Sequence, residues 1–334
     1  MKLTPGKLAG MKAVSDARGV IAAAAMDQRG SLRKTLAKEK GSEITDAMLE
    51  EFKSIVSEVL TMHASAILLD PEWGLPAAKR RQKGSGLLLA YEETGYDNAR
   101  PGRIPDLLGE WSVRRLKDAG ADCIKVLIYY TPFEDKKIND EKHAFMERIG
   151  DECRANDIPL FLEFVGYDPA GADEKSLEYA KKKPQIVTGS MAEFTQDKYG
   201  VDVLKVEIPI DMKFVEGAKA FVNKGAAYTR KEAAQHFLSA AKAATKPFIY
   251  LSAGVSNDEF TESLDLAAES GVKYSGVLCG RATWKDGIPI YAKQGGTAFD
   301  KWLRTEGVVN ISNVNDRLKA ATSWFGQYGV AAGA

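Results

Sequence analysis

Short, almost uninterrupted apolar runs recur along the chain, separated by longer segments with a helical period. Eight runs stand out: GVIAAAAMDQRG from Gly19, ASAILLDPEWG from Ala64, GLLLAYEETG from Gly86, ADCIKVLIYY from Ala121, IPLFLEFVGY from Ile158, VDVLKVEIP from Val201, KPFIYLSAG from Lys246 and YSGVLCGRA from Tyr274. Continuous apolarity over so few residues marks strands covered on both faces, as in a parallel sheet. Between them, Leu49, Phe52, Val56, Val59 and Leu60 form one helical stripe, and Phe260, Leu264, Ala267 and Ala268 another. Ser256 with Glu259 three residues later predicts a capping box at the start of the second helix. Strands alternating with helices imply βαβ units, and eight of them predict a (β/α)8 TIM barrel. An open doubly wound sheet is the alternative, but neither a GxGxxG turn after the first strand nor a Walker-type phosphate loop is present. The stretch from about Ala170 to Tyr199 is longer than one crossover needs, so extra helices are expected there. No repeat or low-complexity linker divides the chain. Residues 1–334 are expected to form one barrel domain, with a loose tail from about residue 325 where the composition turns small.

Barrel enzymes work at the C-terminal ends of their strands. Here those ends carry Asp27 and Gln28, Asp70 and Glu72, Glu92, Lys125, Glu163, Lys205 and Glu207, Ser252 and Gly254, and Gly280 and Arg281. Alternation places Cys123, Lys125 and Leu127 on one face, Phe161, Glu163 and Val165 on another, and Val203, Lys205 and Glu207 on a third. If these faces point inward, Lys125, Glu163 and Lys205 converge on the barrel mouth. Strands lie about 4.8 Å apart, so the two lysines would be roughly 10 Å apart at the backbone, within reach of their flexible arms. A lone strand lysine usually snorkels. Three such groups among apolar neighbours on successive strands ask for a chemical reading. A lysine attacks a carbonyl only when neutral, and burial beside a second cation favours that form. Lys205 then reads as a Schiff-base nucleophile, Lys125 as the nearby cation and Glu163 as the proton carrier between them. Glu207 reads as a salt-bridge partner at the rim.

Ser252 and Gly254, with Gly280 and Arg281, end the last two runs, where barrels often bind phosphate through backbone amides and a forked cation. The basic run KRRQK at 79–83 reads as a solvated face, with a second phosphate as its alternative role. Composition narrows the rest. There are 46 basic and 46 acidic side chains, a formal net charge of zero, so nothing favours nucleic acid or a membrane surface. His63, His143 and His236 lack ligand-like spacing, and no metal site is expected. Cys123, Cys153 and Cys279 contain no CxxC and fit a reduced, cytoplasmic setting. The apolar run VIAAAAM is too short for a bilayer and unlike a secretory leader.

The segments AMDQRGSL, ILLDPEWGLPA, GLLLAYEETGYD, VDVLKVEIP, IYLSAGVS, GVLCGRATW and WLRTEG, in that order, are similar to those of class I tagatose-1,6-bisphosphate aldolases. The chain resembles that family from about Lys12 to Trp324, and class I fructose-bisphosphate aldolases more distantly. The resemblance implies a cofactor-free, metal-independent enzyme of carbohydrate catabolism whose partner is a phosphorylated sugar. It matches Lys205 to the Schiff-base lysine, Glu163 to the proton-transferring carboxylate and Lys125 to the second lysine. Asp27 and Gln28 match groups near the reacting carbons and hydroxyls. Ser252, Gly254, Gly280 and Arg281 match the site for the phosphate of the dihydroxyacetone half. Either Glu163 or Asp27 would take the proton from the C4 hydroxyl. Fructose 1,6-bisphosphate, a sulfofructose phosphate and a sugar-phosphate-sensing regulatory role stay open, as does assembly into a homo-oligomer.

Overall fold

The computed structural model describes residues 2–95, 100–222 and 225–331. Eight parallel strands close a barrel: β1 Ile21–Met26, β2 Ala66–Leu69, β3 Gly86–Ala90, β4 Cys123–Tyr129, β5 Leu160–Val165, β6 Val203–Val206, β7 Phe248–Leu251 and β8 Gly276–Cys279. Each pairs with its neighbour in sequence, and β8 returns to β1 with Ile21 opposite Gly276. All eight fall inside the eight apolar runs, as expected of a TIM barrel. Between β6 and β7 an insert adds a small parallel ladder, Val215–Glu216 against Tyr228–Thr229.

The two-residue period of a strand separates two cores. Ile21, Ala23, Ala25, Ala66, Leu68, Leu88, Cys123, Phe161, Val203, Ile249 and Leu278 fill the interior. Their neighbours, such as Ala24, Ile67, Leu87, Ile124, Val126, Leu162 and Leu204, pack outward under the helices. Helix Asp46–Leu60 buries the predicted stripe completely, and its N-cap Thr45 accepts from the amide of Met48. Half of the expected capping box forms at helix Asn257–Glu269. Ser256 accepts the Glu259 amide, whereas the buried Glu259 carboxylate lies 3.8 Å from Lys213. A complete box forms instead at Thr229 and Glu232.

The 170–199 stretch departs from expectation. It holds one crossover helix, Leu177–Phe194, and a single 3-10 turn, Asp197–Tyr199. Its surplus length is a loop before the helix, and Glu174 and Lys175 of that loop reach the barrel mouth. The extra helices lie after β8, where Ile288–Gln294 and Gly296–Trp302 wrap helix Asp46–Leu60. There Phe52 stacks on Phe299 at 4.3 Å and meets Tyr291 edge-on. The chain end is also more ordered in its packing than its composition suggests. Trp324 and Tyr328 are buried across the N-terminal end of the barrel, in a short helix Phe325–Tyr328 and the residue before it. Tyr328 donates to the Asp202 carbonyl at 2.6 Å and Trp324 to Ser15 at 2.8 Å. Residues 332–334 of the expected tail lie outside the described residues. Among the described residues no helix is long and apolar enough to cross a membrane.

Candidate active site

The inward faces of β1, β3, β4, β5 and β6 deliver charged side chains to one end of the barrel. Lys125 is the hub. Its Nζ lies 2.8 Å from Asp27 Oδ2, 2.7 Å from Glu92 Oε1 and 2.9 Å from Glu163 Oε2. The Lys205 ammonium donates to the same Glu163 oxygen at 2.7 Å, from the residue paired with Glu163 across the β5–β6 ladder. Both lysines are buried, at 1 % and 3 % exposure. The convergence expected from three successive strands is therefore present, and Asp27 joins it from β1.

The charges of this cluster are set by burial against ion pairing. Burial disfavours a charged Lys125, yet Asp27, Glu163 and Glu92 overcome it and hold the ammonium well above its ordinary range. Burial would also raise Asp27, but Lys125, Lys205 and Arg29 drive that carboxyl far below the usual range. Glu163 is lowered in the same way by Lys125 and Lys205 against burial. Glu92 is the exception: its burial outweighs Lys125 and Arg29, and its carboxyl is pushed up. A fixed cation thus stands beside Lys205, whose own partner is the Glu163 carboxylate.

A cavity of about 960 Å³ opens above the cluster, lined by Asp27, Gln28, Glu92, Lys125 and Glu163 on its floor and by Ser252, Gly254 and Arg281 on one wall. Lys205 is bonded to Glu163 of this floor. The wall depends on backbone shape. Ala253 and Gly254 both take left-handed conformations, φ 47° and 80°. A Cβ on Gly254 would stand 2.7 Å from Arg281 Cζ, so glycine is what lets the guanidinium lie against the loop. Arg281 is exposed, and no hydrogen bond or ion pair engages its guanidinium among the described residues. Gly280 lies behind the wall, where a Cβ would stand 3.0 Å from the Ala25 carbonyl oxygen and 3.6 Å from Gln28 Nε2. The amide oxygen of Gln28 is buried without a hydrogen-bond partner among the described residues.

The remaining strand-end groups have structural partners. Lys53 pairs with Asp70, both fully buried, and donates to the carbonyls of Met26 at 2.9 Å and Gln28 at 2.7 Å. That pair braces the backbone around Asp27. Glu207 accepts from the Gly166 amide at 2.7 Å and lies 3.5 Å from Lys183, the rim ion pair expected of it. The KRRQK run leads into the start of β3, at the far end of the barrel from the mouth. Arg80 pairs with Glu58, Arg81 donates to the carbonyls of Ser85 and Ala78, and none of the five residues lines the cavity above the cluster. Its alternative role, contact with a second phosphate at the mouth, is thereby corrected to the solvated face.

Two further members of the site were given no role by the sequence. Arg29, at 2 % exposure, donates to Glu72 at 2.8 Å and to the Glu92 carbonyl at 2.6 Å. Glu92 stood among the strand-end groups, but its place past the end of β3 gave no sign of its pairing with Lys125 on the neighbouring strand β4.

Residues 21–286 match the model of the DeoC/LacD family aldolase. Tagatose 1,6-diphosphate aldolase 2 of Enterococcus faecalis is 54% identical over 325 residues, covering 97% of both chains. Tagatose 1,6-diphosphate aldolase of Listeria monocytogenes is 51% identical over 330 residues, covering 98% of this chain and 96% of its own. The Staphylococcus aureus protein of the same name is 50% identical over 319 residues, covering 95% and 97%. Among solved structures, the fructose-bisphosphate aldolase of Plasmodium falciparum superposes with a TM-score of 0.64 at 14% identity, over 98% of this chain and 97% of that one.

Proposed function

The chain belongs to the DeoC/LacD family of aldolases, and from that premise we propose that it is a class I aldolase that reversibly cleaves D-tagatose 1,6-bisphosphate. The products are dihydroxyacetone phosphate and glyceraldehyde 3-phosphate. Identity of half or more to tagatose 1,6-diphosphate aldolases over nearly the whole length carries the choice of substrate. The contact of Lys205 with Glu163, beside the ammonium of Lys125, supports the mechanism.

Transfer of the Lys205 proton to Glu163 frees the amine, which attacks the C2 carbonyl. Glu163 returns protons as the carbinolamine loses water to form the imine. The protonated imine draws the electron pair of the C3–C4 bond, leaving an enamine on C2–C3 and the aldehyde at C4. A carboxylate of the cluster takes the C4 hydroxyl proton. Lys125 keeps the local charge balanced as Glu163 gains and loses its proton. The phosphate of the dihydroxyacetone half rests on Ser252, the Gly254 turn, the Gly280 segment and Arg281. Gln28 and Asp27 face the hydroxyls. Cofactor-free catalysis in the cytoplasm belongs to the same reading.

Borohydride traps an imine as a stable secondary amine. Incubation with dihydroxyacetone phosphate and borohydride should inactivate the protein, add one ligand mass per chain and place that mass on Lys205. Lys205→Arg should lose both the label and cleavage, because a guanidinium keeps its proton. A label on another lysine, or turnover by Lys205→Arg, overturns the assignment. Side-by-side cleavage of the tagatose, fructose and sulfofructose phosphates checks the substrate, and failure to cleave the tagatose compound would reject it.

A further inference from the structure

Glu92 ends β3 with its two oxygens in different situations. Oε1 accepts from Lys125 at 2.7 Å. Oε2 is buried and has no hydrogen-bond partner among the described residues, although Glu92 lines the cavity. A buried polar atom left unpaired is costly, so its native partner is to be sought in whatever fills the cavity. Gln28 Oε1, also in the cavity wall, is orphaned in the same way.

Barrel order says which part of a ligand would reach Glu92. The strands run β1-β8-β7-β6-β5-β4-β3-β2 around the ring, which puts β3 directly across from β7. The Ser252–Gly254 loop follows β7. On the reading above, the dihydroxyacetone phosphate half is anchored at that wall and at Lys205. The opposite side is left to the half that departs as the aldehyde. We propose that Glu92 is a specificity residue whose Oε2 hydrogen-bonds a hydroxyl of this aldehyde half. Burial raises its carboxyl against the pull of Lys125 and Arg29, and Oε1 is already engaged as the acceptor for Lys125, so Oε2 is the oxygen left to meet the hydroxyl.

The inference rests on the Schiff-base reading and is tested one step beyond it. Imine formation with dihydroxyacetone phosphate alone involves no aldehyde-half hydroxyl. Glu92→Met should therefore lose far less of its borohydride labelling rate than of its cleavage rate. Its kcat/KM for tagatose 1,6-bisphosphate cleavage should fall at least tenfold. Glu92→Gln presents a carbonyl to Lys125 and an amide N–H at the place of Oε2, and should cleave at least fivefold faster than Glu92→Met. Thermal unfolding of both variants confirms that the labelled protein is folded. Wild-type cleavage with loss of labelling in step with loss of cleavage in Glu92→Met would mean that Glu92 acts only through Lys125, and would overturn the proposal. So would unimpaired cleavage by Glu92→Met, or a Gln variant as damaged as the Met variant. If wild type itself neither labels nor cleaves, the Schiff-base reading fails first.

Discussion

Lys125 gathers three carboxylates from three strands onto one buried ammonium. Removing a partner from a buried ionic cluster leaves uncompensated charge, typically about 3–5 kcal/mol. Lys125→Met should lower the unfolding free energy by roughly that amount, measured by denaturant titration, whereas Lys125→Arg should keep most of it. Arg281 is the contrasting case. It is exposed, with no protein partner among the described residues, so Arg281→Ala should leave stability unchanged. If it grips a phosphate, the lost charge-assisted bond of about 1.5–3 kcal/mol should raise KM for bisphosphates more than tenfold. The cluster also predicts an acid limit. Asp27 and Glu163 have lowered folded values, so their contribution is complete above the ordinary carboxylate range near pH 4. It is lost as pH falls through the folded values, while raised Glu92 acts in the opposite sense. A pH series of unfolding midpoints should show a drop below about pH 4 that shrinks in Asp27→Asn.

At the scale of elements, helix Lys136–Ala155 buries Lys142 against Tyr167, whose hydroxyl it meets at 2.9 Å. Burial, only partly opposed by Glu134, pushes this ammonium down to about 8. A base with a lowered folded value penalises the fold below that value, and the penalty lifts as pH rises toward the ordinary lysine range near 10.4. Lys142→Met should therefore stabilise the protein at pH 7, by about 1 kcal/mol, and the gain should fade above pH 8. Melting curves at pH 7 and pH 9.5 test the sign. The strand and helix assignments that held came from strong periodicity, as in the fully buried stripe of helix Asp46–Leu60. The 170–199 stretch misled because length alone does not distinguish a second helix from a loop drawn over the mouth.

For the whole molecule, closure of the barrel separates stability from chemistry. Trp324 plugs the end opposite the cavity, fully buried among inner-barrel residues. Trp324→Ala should cost about 3–5 kcal/mol of stability with little change in kcat, a split that activity and unfolding assays on one sample can read. On the proposed Schiff-base reading the imine supplies the electron sink that a metal ion would otherwise provide, so activity should persist after exhaustive chelation. Loss of activity rescued by zinc would reject the class I reading.

The sequence by itself determined the strand count, the parallel barrel, and the inward placement of Lys125, Glu163 and Lys205. All three follow from local period: apolar runs mark covered strands, and alternation settles which residues share a face. It also carried the family, through ordered segments from AMDQRGSL to WLRTEG. Only the tertiary structure decided which strand-end groups are partners. Asp70, a strand-end carboxylate like Asp27, proved to be a brace under Lys53, while Glu92 proved to belong to Lys125. Such pairs join residues 17 and 33 positions apart on separate elements, and nothing local encodes them. Their distances, and the burial that separates the proton affinity of Glu92 from that of Asp27, come into being only when the eight strands close.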